Sequence, residues 1–532
     1  MLIKNKIQYS KTYSINILQV IFFLFILLLP IKFGTPAALP EISTYPSDFM
    51  SWLVYSWSPP LFTLFSSCIL LLTLILLYKK NHLINSNSSN FIIPFLWFLL
   101  VISSLLGGLK SSCADFTYLE CLHLLGLSLF TFAIFRFLEI RSAKNFTFIT
   151  VAITIGTIFI SMYGIYQYLS GFTSTRNIVM EVIQSKDIIL PPNFYSRLMD
   201  NLVYSTFSIS NSLAAHLILT IPLCIYVVSK IYTSKYLRYI VTSIITIILI
   251  ICLILTGSRA AILSLVLSIA IMFIVFTKSI KYKVLFILIC LVFVSFYFYF
   301  FSSKGYLSIL IRLDYFKTSF NLLINNWLTG AGWGSFFHVY PSTKSLLTGE
   351  APHMPHNILL SMGSQAGIIT MLIALIILVL PIFYGIRNIS VSDNRIMDYS
   401  LLTGYLAWVI HSLMDINIQI PGTVAMAITM TALIIYRKKE EQKHYLNNNK
   451  YFKNYWSLLM LIICIAGLYF SVTRINGEIA LQKLENTCDP VYKILTVKDF
   501  HYIPPKKSPK KKNKLITETN INENQVRTIN IV

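Results

Sequence analysis

Residues 238–277 read RYIVTSIITIILIICLILTGSRAAILSLVLSIAIMFIVFT. Two uninterrupted apolar runs, 238–255 and 259–277, flank the short Thr256-Gly-Ser-Arg-Ala-Ala261 interval. About 20 apolar residues in helical conformation cross the hydrocarbon core of a bilayer. An interval this short permits only a tight hairpin, so the stretch predicts two antiparallel membrane spans with Arg259 at their shared end. Only 12% of the 532 residues are charged and 56% are hydrophobic, against about a quarter charged in soluble domains. The same pattern recurs outward in both directions. Further spans are expected near 15–33, 59–78, 91–108, 121–138, 147–170, 209–229, 282–301, 357–384, 398–416, 421–436 and 456–473. The fold class is therefore all-α: a polytopic membrane protein with 12 or 13 transmembrane helices.

The net charge of +22 invites a nucleic-acid reading, but the placement of the charge argues against it. With the N-terminus inside and sides alternating, inner segments hold 22 basic residues, among them Lys4, Lys79, Lys144, Lys278 and Arg437, against 10 in the longer outer segments. That is the positive-inside pattern of a membrane protein. No nucleic-acid partner is expected; membrane lipids are. The apolar run from Ile15 to Pro30 is long and lacks a convincing small-residue cleavage site, so it reads as a first span and not as a cleaved signal. Eight cysteines are scattered; Cys113 and Cys121, both on or near the outer side, could form a disulfide, though no framework pattern supports one. Nothing in the spacing suggests a structural metal or a cofactor.

Four regions follow: N-terminal spans and outer loops at 1–200, a membrane core at 201–436, a last span with its basic inner loop at 437–473, and a polar tail at 474–532. The core includes a mostly polar outer loop at 302–356. The tail carries Pro504-Pro-Lys-Lys-Ser-Pro-Lys-Lys-Lys-Asn-Lys514 and reads as solvated and disordered. An odd number of spans puts the tail outside, an even number inside.

Chemistry in so apolar a chain must sit where polar residues reach the outer ends of spans. Arg259 presents a planar fork of donors suited to phosphate, or else snorkels to headgroups. His353 and His356 bracket Met354-Pro355; Pro355 keeps Met354 extended, and Asn357 is a good N-cap for the following helix. His356, at that helix start, is the better candidate for a general base. Residues 312–320 have apolar side chains at helical spacing and read as an amphipathic surface helix. Gly330, Gly332 and Gly334 suit a tight turn whose backbone a ligand could approach, without the spacing of a dinucleotide fingerprint. His411 and Asp415 lie four apart, on one helix face. They either bond one another or place Asp415 in the same outer cavity as His356.

In order, the chain carries Thr206-Phe207 to Asn211-Ser-Leu-Ala-Ala215, Gly257-Ser-Arg259, Arg312 ahead of Gly330-Ala-Gly-Trp-Gly-Ser-Phe336, Pro355-His-Asn357, and His411-Ser-Leu-Met-Asp415 before Pro421. This set resembles the O-antigen ligase and polymerase superfamily of bacterial inner-membrane glycosyltransferases, over residues 200–435. The resemblance implies an inverting, metal-independent enzyme that moves a glycan from undecaprenyl pyrophosphate to an acceptor on the periplasmic side. It implies Arg259 as the grip on the donor pyrophosphate and His356 as the base. Arg312 or Arg197 is then the second phosphate-binding arginine, with His353 and Asp415 beside the substrate. Family members often carry an arginine just before the Thr-Phe segment; here Leu202 occupies that place. Three acceptors fit: lipid A core, which is favoured, a growing repeat chain, or a protein hydroxyl. A lipid-linked glycan transporter and a noncatalytic scaffold are the readings from other classes; a transporter would place its charges near the bilayer midplane.

Overall fold

A computed structural model describes residues 2–37, 55–78, 92–109, 111, 113–140, 142–174, 176–177, 180, 199–345, 352–391, 394–436 and 450–487. Every regular element among them is helical. In chain order they are α1 (Leu2–Lys32), α2 (Pro59–Tyr78), α3 (Ile92–Gly108), α4 (Ala114–Ile140), α5 (Ser142–Tyr166) and α6 (Ser210–Ile231). Then come α7 (Lys235–Leu255), α8 (Arg259–Phe276), α9 (Ile280–Asn325), α10 (Ser335–Thr343) and α11 (Ile358–Ala366). The last four are α12 (Ile368–Val391), α13 (Arg395–Ser412), α14 (Pro421–Tyr436) and α15 (Lys450–Thr487).

Among the described residues, eight helices are long and apolar enough to cross a membrane, and three shorter apolar ones join them. Of the two remaining expected spans, 282–301 falls within α9, and 398–416 begins in α13 but runs four residues past its end at Ser412. The chain is an all-α, polytopic membrane protein. Between such helices there is little hydrophobic gain over lipid, so packing and internal hydrogen bonds hold the bundle. Hydroxyls inside it turn back on their own helices: Ser67 donates to Thr63 O at 2.7 Å and Thr131 to Leu127 O at 2.7 Å.

The directions of the helices fix which ends share a face. Phe276, at the end of α8, packs edge-on against Tyr399, near the start of α13, with ring centroids 5.0 Å apart. At the other ends, Ala261, Ala407 and Ile420 share one buried cluster. The two helices are antiparallel, and Arg259 lies at the same end as His411. That end is tied together by backbone: Gly422 N donates to Phe33 O at 2.8 Å, Ala37 N to Gln419 O at 2.8 Å, and Val203 N to Leu255 O at 3.0 Å. α15 reaches the same face, where Ser58 Oγ donates to Glu478 Oε2 at 2.5 Å and Tyr118 OH to Phe470 O at 2.7 Å.

The structure departs from the sequence-based expectations in two places and answers a third point that the sequence left open. The polar loop expected from 302 is helical to Asn325, because α9 runs unbroken for 46 residues; residues 312–320 are its continuation. The span expected over 357–384 is two helices, broken at Gly367 (φ 90°). A Cβ there would sit 2.2 Å from Leu328 O, and one at Gly330 (φ 69°) would sit 2.3 Å from the Gln365 carbonyl carbon. The glycine-rich turn thus presses on the end of α11, with Ala331 N donating to Ser364 O at 2.8 Å. Its close approach serves protein packing. Third, Cys113 and Cys121 are both free. Cys121 is two turns into α4, about 12 Å of helix rise from Cys113, beyond disulfide reach; Cys113 Sγ instead lies 2.6 Å from His338 Nε2.

Candidate functional site

The site is built around the start of α11. Asn357 is extended (φ −160°, ψ 120°) and its side chain accepts from Leu359 N at 2.9 Å and Leu360 N at 3.0 Å. This is the expected N-cap, answering two of the orphan amides of the first turn. Its Nδ2 donates in the other direction, to Leu413 O at 2.9 Å. One side chain therefore starts α11 and fastens it to the turn after α13.

That turn carries Asp415, three residues past the last residue of α13, with only 2% of its side chain exposed. Its Oδ1 lies 3.4 Å from His356 Nδ1 and accepts from Ile416 N at 2.7 Å; its Oδ2 lies 3.9 Å from His411 Nε2. The carboxylate therefore lies between the two rings, nearer His356, and at 3.9 Å it is too far from His411 for the expected mutual hydrogen bond. A separation of 3.4 Å is long for an N–H···O bond, so the link to His356 is electrostatic pairing that a small ring rotation would tighten. Burial alone would push the Asp415 carboxyl up; His356 and His411, with the Arg312 guanidinium, outweigh it and hold the group below the ordinary carboxylate range. His411 is itself fixed by Asn417, whose Nδ2 is 2.9 Å from His411 Nδ1.

His356 keeps 22% of its side chain exposed, so it is reachable while its partner is not. Tyr315 of α9, fully buried, stacks on the imidazole with centroids 5.4 Å apart and planes 20° from parallel. One turn earlier, Arg312 Nε donates to Met414 O at 3.1 Å. The long α9 helix thus delivers an aromatic floor and a cation to the His356–Asp415 pair. Tyr315, Asn417 and the Asn357 tether were not singled out by sequence reasoning. Tyr315 carried a signal, since it lies three residues from Arg312 and so on the same helix face.

The other expected residues are placed as follows. Arg259 starts α8, partly buried, on the His356 face. Its hairpin touches position 202: a Cβ on Gly257 (φ 67°) would come 2.5 Å from Leu202 Cδ2. His353 is turned to aromatic neighbours, stacked on Phe337 at 4.5 Å and tilted at 5.5 Å to Phe116. Arg197 lies outside the described residues. Among the described residues, no group of three or more His, Cys, Asp or Glu is arranged to hold a metal ion.

Residues 244–375 match the family described as O-antigen ligase. No curated protein matches the chain. Arg259, Arg312, Tyr315 and His356 fall inside the matched segment, and Asp415 falls beyond it. The match covers 132 of the 532 residues, and within that segment the chain is similar to the O-antigen ligase family.

Proposed function

We propose that the chain transfers a glycan from undecaprenyl pyrophosphate to an acceptor hydroxyl at the periplasmic face of the bacterial inner membrane, with lipid A core as the acceptor. The observation that carries this reading is a reachable imidazole, His356, backed by a buried carboxylate 3.4 Å from Nδ1, on the face where Arg259 begins α8. Held from the Nδ1 side, the ring has Nε2 left to take the proton of the acceptor hydroxyl. The acceptor oxygen then bonds to the anomeric carbon, the bond from that carbon to pyrophosphate breaks, and undecaprenyl pyrophosphate leaves with the electron pair. Attack from the face opposite the leaving group inverts the anomeric centre, and no metal is required.

Asp415 holds the ring and offsets the charge of the imidazolium that forms. Arg259 and Arg312 answer the charge gathering on the departing pyrophosphate; fixed cations at such a site contribute the larger share of catalysis. The base adds about 10²–10⁴-fold. Arg197 and His353 are substrate contacts in this scheme, with His353 further from the chemistry.

Arg259→Ala and His356→Ala in cells should each abolish surface glycan while the undecaprenyl-linked precursor accumulates at unchanged protein level. Normal glycan in both variants would defeat the assignment. The molecule that carries the finished glycan in wild-type cells separates lipid A core from a growing polysaccharide or a protein.

A further inference from the structure

α4 lies outside the segment matched to the family, yet it reaches the candidate pair through two buried side chains. Glu120 and His123 are one turn apart on one face of α4, 1% and 3% exposed. A carboxylate and an imidazole inside a membrane helix are costly and need specific partners. Both partners belong to the turn after Asp415. Gln419 Nε2 donates to Glu120 Oε1, and His123 Nε2 donates to Ile418 O at 2.8 Å. The same Gln419 Nε2 also donates to Met354 Sδ at 2.8 Å. Met354 is two residues before His356, and Gln419 is four residues after Asp415. A single amide, oriented by Glu120, therefore bridges the two chain segments that carry the pair.

We propose that Glu120 is a positioning residue: by orienting the Gln419 amide it fixes His356 against Asp415. The role rests on the function proposed above and extends it to a helix outside the family match. A gap already at 3.4 Å has little slack, because a further ångström would break the pairing. Misplacement on that scale in an active site costs about 100-fold in rate. Glu120 needs only to accept a hydrogen bond, so an amide can replace it. A thioether of similar volume keeps the packing and loses the strong acceptor.

The test uses the full-length protein in membrane vesicles that retain their own pool of lipid-linked glycan. Transfer is compared at matched protein level and matched melting temperature. Glu120→Gln is expected within about threefold of wild type, and Glu120→Met about 100-fold slower. In the Asp415→Asn background, adding Glu120→Met should cost nothing further, because the geometry it protects is already lost; damage that is only structural would multiply through. Should Glu120→Met fail to accumulate, Met354→Leu substitutes, a volume-conserving change that removes the other end of the bridge, with the same slowing and non-additivity expected. Wild-type rates in Glu120→Met alongside an inactive His356→Ala overturn this role and leave the proposed function standing. An active His356→Ala overturns both.

Discussion

Asn357 allows helix capping and site geometry to be separated by substitution. Its Oδ1 accepts from two first-turn amides and its Nδ2 donates to Leu413 O. Asn357→Ala removes both functions. Loss of the cap costs about 1 kcal/mol, and leaving the Leu413 carbonyl unanswered in a partly buried place costs about 1 kcal/mol more. Asn357→Ser keeps a good capping oxygen and loses only the reach to Leu413, so about 1 kcal/mol in total is expected. Stability should therefore order wild type, Ser, Ala. Transfer should fall to a similar extent in both variants, because each releases His356 from the turn that holds Asp415. Thermal unfolding of the purified protein reads the first quantity, and glycan transfer in vesicles reads the second. If Asn357→Ser transferred at the wild-type rate while Asn357→Ala lost rate only in step with stability, Asn357 would be a cap and nothing more.

Three further outcomes follow from the same contacts. The Asp415 carboxyl is held below its ordinary range, so its stabilising contribution is present above the ordinary carboxylate pKa of about 3.9 and fades as pH falls through the lower native value. Wild type should accordingly lose more melting temperature than Asp415→Asn when taken from about pH 5 to pH 3; parallel curves would refute it. Gly257→Ala should destabilise by about 1–3 kcal/mol, because φ is 67° and the new methyl meets Leu202. It should also reduce transfer by moving Arg259, and unchanged melting and activity would count against the hairpin geometry. Cys113 should react with a maleimide in the intact protein and Cys121 only after unfolding, whereas a mass 2 Da below the fully reduced protein would reveal the bridge that the structure lacks.

The sequence announced the bundle because membrane spans depend on a local property, some 20 consecutive apolar residues, and the Gly257-Ser-Arg259 hairpin because two such runs meet there. It announced the start of α11 for the same reason: Asn357 caps amides two and three residues away. The break at Gly367 was harder to read. Gly367 is itself a local stop signal, but a glycine inside an apolar run is a weak one; the cause is Leu328, nearly 40 residues upstream, passing where a side chain would project. Polarity was misleading at 302–325, since a helix can continue beyond a span once its residues face water or protein. Glu120 carried a legible signal, a carboxylate six residues into an apolar helix. Its partner, Gln419, is 299 positions away, and no local pattern connects them.

The C-terminal side of the molecule brings two physical rules into apparent conflict. Glu478 and Phe470 of α15 bond to Ser58 and Tyr118 on the His356 face, so α15 ends there, as an odd number of spans requires. The lysine run that follows, taken by its charge alone, calls for the opposite side. The positive-inside bias, however, acts within about 15–20 residues of a span end. The last apolar window closes at Ala480, and the run begins only at Lys506, beyond that distance. Meanwhile Arg437, Lys438, Lys439 and Lys443 precede α15, and Lys450 and Lys453 lie at its start, close enough to fix its orientation. Alkaline phosphatase fused after Thr487 should therefore be active and a green fluorescent protein fusion at the same point dark, while a cysteine placed at Ser345 labels from outside. The reverse fusion pattern with outside labelling at 345 would mean that α15 does not pack against α2 as seen, and the tail would belong to the opposite face.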